Sequence, residues 1–378
     1  MISYRERSLF MYVICNRNDL MKSVGIVSKA VSTRTTMAIL EDILLDAEGG
    51  SLTLVGNDLD LGIQTTIEAV VKKEGSICVN AKMFSEMIRR LPDDDVSLET
   101  EENGRIRIEC GHSKYTMATM PGEDFPRLPE VEGRQEILLS QAIFRQMIND
   151  TIFSIAPENS GRPILTGELM DIRDGYLYLV AVDGFRISMK RTMVQSAENF
   201  KVTIPGKAMN EIRNILETEE DSLMNVSFTG KHALFRMNDT IVLTRLLEGT
   251  FLNYERNLDM DFKTKVTVNR RELYESVDRA ALISRESKNS PIRLEIGEES
   301  IVITSNAENG TSREEVGLVL EGEPLTIAFN PKYYLEALKS IDDLEVQILY
   351  NSSLTPCIIQ ATEGKDYQYF ILPIRMHS

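Results

Sequence analysis

The chain contains no tryptophan and only three histidines, His112, His232 and His377, among its 378 residues. None of them pairs with a second histidine at metal-ligand spacing, and each reads as a surface residue. The four cysteines, Cys15, Cys78, Cys110 and Cys357, lie far apart with no C-x-x-C spacing. That pattern disfavours a disulfide framework or a zinc site, fits a reducing compartment, and makes the thiols small core residues. No apolar run reaches the roughly 18 residues that a membrane helix needs. The opening MISYRERSLF is charged and lacks a small-residue cleavage site, so no signal peptide is read there. G-x-S-x-G, H-E-x-x-H and G-x-G-x-x-G are all missing, and Gly206-Lys207 is not the end of a phosphate loop, because Lys201 stands where the first glycine would be. The acidic runs at Asp93–Asp95 and Glu217–Asp221 follow helix ends. They read as solvated turns rather than as the carboxylates of a two-metal nuclease.

What the chain does have is a hydrophobic fraction of 42% and a net charge of −16. Its length suggests two to four domains at roughly 100–200 residues each. A weak repeat narrows that to three. The segments CVNAKMFSEMIRRL, TIPGKAMNEIRNIL and AFNPKYYLEALKSI recur so that Lys82, Lys207 and Lys332 are spaced by 125 residues, as are Glu86, Glu211 and Glu336. Each copy predicts a strand running into a helix with Lys and Glu four apart on one face. In the first copy the apolar stripe is read through Met83, Met87 and Leu91. A second helix opens each unit, with Leu20, Phe144 and Leu273 starting its stripe and Val24, Ile148 and Val277 continuing it. Alternating segments such as YLYLVAVDGFRISMKRTMV fill the remainder as half-buried antiparallel strands. Residues 121–136, with three prolines, and 249–263 read as extended linkers. The fold class is α+β, in three repeated domains: residues 1–10 as an extension, then 11–132, 133–260 and 261–378.

Charge is segregated across this pattern. The six helical segments together carry +7, which leaves −23 on everything else. If the helices share one side, that side is mildly basic and suited to phosphates without reading bases. The acidic remainder would repel nucleic acid from elsewhere. The plainer alternative is that amphipathic helices simply carry solvated lysines.

Four motifs, in this order, resemble the beta subunit of bacterial DNA polymerase III, the replicative sliding clamp. They are MPGEDFP, AVDGFRIS (Ala181–Ser188), EGTFLNYERNL (Glu248–Leu258) and the terminal YQYFILPIRM (Tyr367–Met376). The resemblance spans Met11 to Met376. It implies three copies of the DNA clamp domain, with helices inside and antiparallel sheets outside, closing head-to-tail as a dimeric ring. It also implies a cytoplasmic, non-catalytic processivity factor with no cofactor. The implied partners are double-stranded DNA without sequence preference, the polymerase III catalytic subunit, a clamp loader, and other polymerases and repair proteins that carry short linear motifs. No membrane partner is implied.

Carried over onto this sequence, the partner-peptide pocket comprises Leu165, Val182, Gly184, Phe185, Arg186, Ile187, Leu252, Arg256, Pro356, Phe370, Leu372, Pro373, Ile374 and Arg375. The aliphatic members would receive Leu or Phe anchors, and the arginines would meet carbonyls or acidic groups. The dimer contact implied is Tyr115 with Leu282 and Ile283. Core packing is the competing reading for these aliphatic and aromatic positions. Arg34 and the loop 159–164, including Arg162, are the implied DNA contacts. Helix placement, rather than the resemblance, adds Lys22, Lys29, Arg89, Lys207, Arg213, Arg279 and Lys332. Some positions depart from the family pattern. Phe185 replaces a frequent histidine, Leu252 a frequent proline and Ala38 a usual proline, and His377 and Ser378 extend past the usual end. Because ten residues precede the usual start, Met11 is the expected initiator. Two other readings stand beside the clamp: a monomeric peptide-binding scaffold and a metal-dependent nuclease.

Overall fold

The computed structural model describes residues 9–32, 35–129, 135–195, 198–219, 221–255, 262–285, 291–308 and 310–375. Six α-helices occur in chain order: α1 (Arg17–Val27), α2 (Ala81–Arg90), α3 (Gln141–Thr151), α4 (Gly206–Ile215), α5 (Arg270–Arg285) and α6 (Pro331–Lys339). Four of them start at an asparagine whose side chain accepts from the first turn: Asn16, Asn80, Asn269 and Asn330. An asparagine cap satisfies amides that the helix leaves unpaired, and Pro331 at the first position of α6 loses no bond there. Each third of the chain therefore runs strand, helix, several strands, helix, three strands.

Leu20, Phe144, Leu273, Val24, Ile148 and Val277 are all buried, as the periodicity requires. The stripe of α2 differs from expectation. Ala81, Phe84 and Ile88 face inward, and Met83 is 50% exposed. Met83 and Met87 are four apart but sit on the wrong side of the helix; the phase is set by Phe84, Ile88 and Leu91.

Two compact units result, one from Met1–Gln141 with Asn214–Leu246, the other from Ala142–Arg213 with Leu247–Ser378. Sheet continuity explains why there are two. In the first unit a 13-stranded sheet runs from Gln135–Ser140 at one edge to Val70–Lys73 at the other. It is joined where Thr240–Arg245 pairs antiparallel with Leu61–Glu68, and there Thr65 and Thr240 bring their hydroxyls to 3.0 Å. In the second unit a nine-stranded sheet is joined where Arg186–Met193 pairs with Tyr367–Ile371, and a four-stranded sheet lies beside it. The C-terminal strand is thus an interior strand, with Tyr367, Tyr369, Phe370 and Ile371 buried. Such pairing hides backbone donors and acceptors that an open edge would expose.

The linkers are anchored by aromatics. Phe125 and Tyr254 are buried in the cores of their units. Tyr254 donates its hydroxyl proton to Asp171 at 2.7 Å, and burial together with this carboxylate pushes its pKa well above the ordinary phenol range. Lys201 lies 3.1 Å from the same carboxylate and also pairs with Glu255. All four cysteines are buried free thiols.

Candidate functional site

A cleft of about 160 Å³ opens in the second unit, lined by Val182, Gly184, Phe185, Arg186, Ile187, Leu252, Pro356, Phe370 and Leu372. Its floor is the hairpin of Tyr176–Val182 and Arg186–Met193 with the C-terminal strand beside it. The hairpin turn is fixed locally. Asp183 Oδ1 accepts from the amides of Phe185 and Arg186 at 2.9 and 3.1 Å, and Gly184 takes φ +94°, where a side chain would be strained. This leaves Phe185 60% exposed, its ring stacked on that of Tyr333 at 6.2 Å. Past the last strand, the Leu372 amide donates to the Phe185 carbonyl at 2.9 Å and the Ile374 amide to the Ala328 carbonyl at 2.8 Å. Leu372 and Ile374 are thereby tied down just past the last strand, and Leu372 lines the cleft.

The structure brings together nine of the fourteen residues expected at the pocket. Leu165 is buried in the core beneath rather than on the wall. Pro373 and Ile374 are half-buried and Arg375 is exposed on the tail just beyond. Arg256 lies outside the described residues.

Arg186 departs from its expected part. Its guanidinium is held inside the fold rather than standing ready for an incoming carbonyl or carboxylate, because three of its five N–H donors are already engaged. Nε donates to Asp183 at 2.9 Å, Nη1 pairs with Glu336 of α6, and Nη2 donates to the Phe153 carbonyl. The same group lies 4.4 Å from the Tyr333 ring centroid. A charge buried to this depth must be paired to be tolerated, so the pairing is intramolecular. The cleft wall is accordingly apolar in character, suited to aliphatic or aromatic anchors. Asp183, Tyr333 and Glu336 were not legible as site residues. Only the recurrence of Glu336 in the repeat hinted at a role.

The cationic residues fall in two classes. Lys22 on α1, Arg89 on α2, Lys207 on α4 and Lys332 on α6 are exposed, and so is Arg162 ahead of the short turn Pro163–Thr166. Lys29 is half-buried past the end of α1. Arg213 is half-buried, and its charge acts on the buried carboxyl of Glu168. Arg279 is exposed but shares its charge with Glu314 at 2.7 Å, so it offers less to an anion than its position on α5 suggested. Arg34 lies outside the described residues. Two of the repeated glutamates pair with arginines, Glu86 with Arg90 at 3.5 Å and Glu336 with Arg186. Among the described residues no three His, Cys, Asp or Glu side chains converge as metal ligands.

Two strand edges complete the picture. Strand Ser113–Pro121 pairs with Gly75–Asn80 only through Thr119–Pro121. Its earlier part pairs with Arg105–Cys110 alone, so among the described residues one side of 113–118 has no strand partner, and exposed Tyr115 lies on it. Strand Gly310–Gly317 ends the four-stranded sheet. Beside its first residue sits Ile283, whose Cδ1 is 3.7 Å from where a Cβ on Gly310 would be, next to the exposed Leu282.

Comparison with known proteins agrees over the whole length. Three family models match in order: the DNA polymerase III beta subunit N-terminal domain over residues 11–129, its central domain over 138–253 and its C-terminal domain over 256–375. Beta sliding clamps of Halalkalibacterium halodurans and Staphylococcus epidermidis are 31% and 33% identical to this chain; each match covers 97% of it, and 100% and 98% of the relative. Among solved structures, a putative DNA polymerase III beta subunit from Eubacterium rectale superposes with TM-score 0.93 at 38% identity. The Bacillus subtilis sliding clamp does so with 0.94 at 29%. Both matches cover 97% of this chain and 100% of the other.

Proposed function

The chain belongs to the DNA polymerase III beta subunit family, and from that membership we infer how its surfaces are used. It is a DNA sliding clamp, a non-catalytic processivity factor that tethers the replicative polymerase to duplex DNA. The observation that carries this is the threefold helix-pair domain, matched in order by the three family models. Its action is topological: a closed ring dissociates only by opening, so no single contact need be strong. A clamp loader supplies the energy of opening.

Ring closure is supported by the two free strand edges. The edge that bears Tyr115 in one copy would pair with the strand Gly310–Gly317 of a second copy, with Leu282 and Ile283 packing against Tyr115. A heterologous contact of this kind closes as a two-membered ring and consumes both edges. The domain limits we assign are 11–132, 133–260 and 261–378, after an extension of residues 1–10.

Lys22, Lys29, Arg34, Arg89, Arg162, Lys207, Arg213 and Lys332 are assigned to the DNA side, with Arg279 a weaker member. Exposed lysines on separate helices attract phosphates without fixing a register, which sliding requires. The cleft around Phe185 and Leu372 takes short linear peptides of the polymerase catalytic subunit, the clamp loader and other polymerases and repair proteins. No described helix is long and apolar enough to cross a membrane, and we place the protein in the cytoplasm, where the replicated DNA lies.

The test is retention on nicked circular DNA after loading by a cognate loader with ATP, before and after one cut. Loss of retention on linearisation is the expected result. Retention that survives the cut would mean direct adhesion and would end the ring mechanism.

A further inference from the structure

We propose that Glu336, which is not part of the cleft wall, is a positioning residue for peptide capture. Through Arg186 and Tyr333 it holds the turn that presents Phe185 to the cleft. The inference rests on the reading of that cleft as the peptide site.

The geometry is a clamp between one turn and one helix. Tyr333 and Glu336 are three residues apart on α6 and so share a face. Glu336 takes Arg186 Nη1 and Tyr333 receives the Phe185 ring, its own ring lying 4.4 Å from the guanidinium carbon. Tyr333 is thus held between an aromatic neighbour and a cation, and both arrangements favour its π face. Arg186 is tied on its other donors to Asp183, the residue that caps the turn, and to the Phe153 carbonyl. A planar guanidinium with donors in a fixed fork can hold three partners at once, whereas an ammonium cannot do so in this geometry. Without Glu336 one donor of a buried arginine would be left unmatched, and Arg186 would swing toward solvent, taking its stack with it. Phe185 is 60% exposed, its ring stacked on Tyr333 and its backbone held by Asp183 and by the Leu372 amide.

The repeat indicates that the clamp belongs to the cleft rather than to the fold. The first copy has the same Asp-capped turn, in which Asp58 accepts from the amides of Asp60 and Leu61 and Leu59 takes φ +78°. There Leu61 stands in the place of Arg186, and in the second copy of the helix Ala208 stands in the place of Tyr333. The Asp-capped turn therefore forms where no arginine stands at this place. The second-copy turn and the third-copy helix are joined by an ion pair and a ring stack, beside the cleft.

The test uses the full-length protein and a fluorescein-labelled hexapeptide that ends in a Leu-Phe pair, with affinity read by anisotropy. Glu336→Gln should weaken binding about five- to tenfold, the cost of removing one charged hydrogen-bond partner. Phe185→Ala should weaken it as well. The decisive measurement is the double variant: Glu336→Gln should add almost nothing in the Phe185→Ala background, because its whole effect passes through that ring. Additive losses would reduce Glu336 to a general stabiliser and overturn the proposal, as would unchanged affinity of Glu336→Gln. Tyr333→Leu keeps the ion pair and removes the stack. It should show the same non-additivity, which keeps the test open if Glu336→Gln fails to fold. If the unaltered protein does not bind the peptide, the cleft reading itself falls and this inference with it.

Discussion

Glu168 follows the turn Pro163–Thr166 in the second unit and is completely buried. Its surroundings dictate its protonation. Thr151 lies within hydrogen-bond reach of both the Met147 carbonyl, at 2.7 Å, and Glu168 Oε1, at 2.5 Å. The Thr151 hydroxyl has one proton for these two acceptors, so a Glu168 carboxylate would be at best partly compensated for its burial. The second oxygen, Oε2, has no partner. Burial pushes the Glu168 pKa up from 4.5 to about 8, against the opposing pull of the Thr151 bond and of Arg213. A carboxyl whose folded pKa is raised costs nothing below the unfolded value. Between pH 4.5 and about 8 the unfolded chain ionises while the folded chain must hold its proton, so stability falls by about 1.4 kcal/mol per pH unit. Above about 8 the loss levels off. Glu168→Gln keeps the shape and removes the titration. The difference in unfolding free energy between variant and parent, measured in urea at pH 6 and again at pH 8, should grow in favour of the variant by about 2 kcal/mol. Other titrating groups cancel in that difference. A gap that stays constant within about 0.5 kcal/mol across the two pH values would mean that Glu168 is ionised in the folded protein, and the argument from burial would be wrong.

Two further outcomes follow from the surfaces. Tyr115→Asp places a charge on the free edge at 113–118, and sedimentation should then give the mass of a single chain where the parent gives that of two; an unchanged dimer would remove this edge from the contact. Changing Lys22, Arg89, Lys207 or Lys332 singly to Ala should shift retention on circular DNA less than about twofold, while the quadruple variant should lower the salt dependence of binding by about three to four counterions. One lysine whose loss alone abolished retention in a folded protein would refute a shared, sliding contact.

Much of the architecture was legible before any coordinates. Spacing of Lys82, Lys207 and Lys332 marked three copies, and the repeat with its 3.6-residue periodicity located all six helices. The phase of α2 was misjudged, because Met83 and Phe84 are both apolar and only packing chooses between them. At the cleft, the resemblance pointed to Phe185, Leu252 and Leu372, which do converge. It also pointed to Leu165, which lies beneath the wall. Arg186 was legible as a cation but not as one paired inside the fold, since Asp183, Phe153 and Glu336 reach it from three separate elements. Glu168 carried no signal, as a glutamate in an alternating segment reads as solvent-facing.

What the sequence determined by itself was local and periodic: which segments are helix or strand, that the unit recurs three times, and that positive charge gathers on the helices. These depend on neighbours a few residues away, whose spacing the chain cannot change. Tertiary structure decided what depends on distant partners. It joined 240–245 to 61–68 and 186–193 to 367–371, left one side of 113–118 and of 310–317 without a strand partner among the described residues, raised the pKa of Glu168 by burial and paired Arg186 with Glu336. Each of those outcomes is set by which groups become mutual neighbours after water is excluded, and sequence spacing carries no record of that.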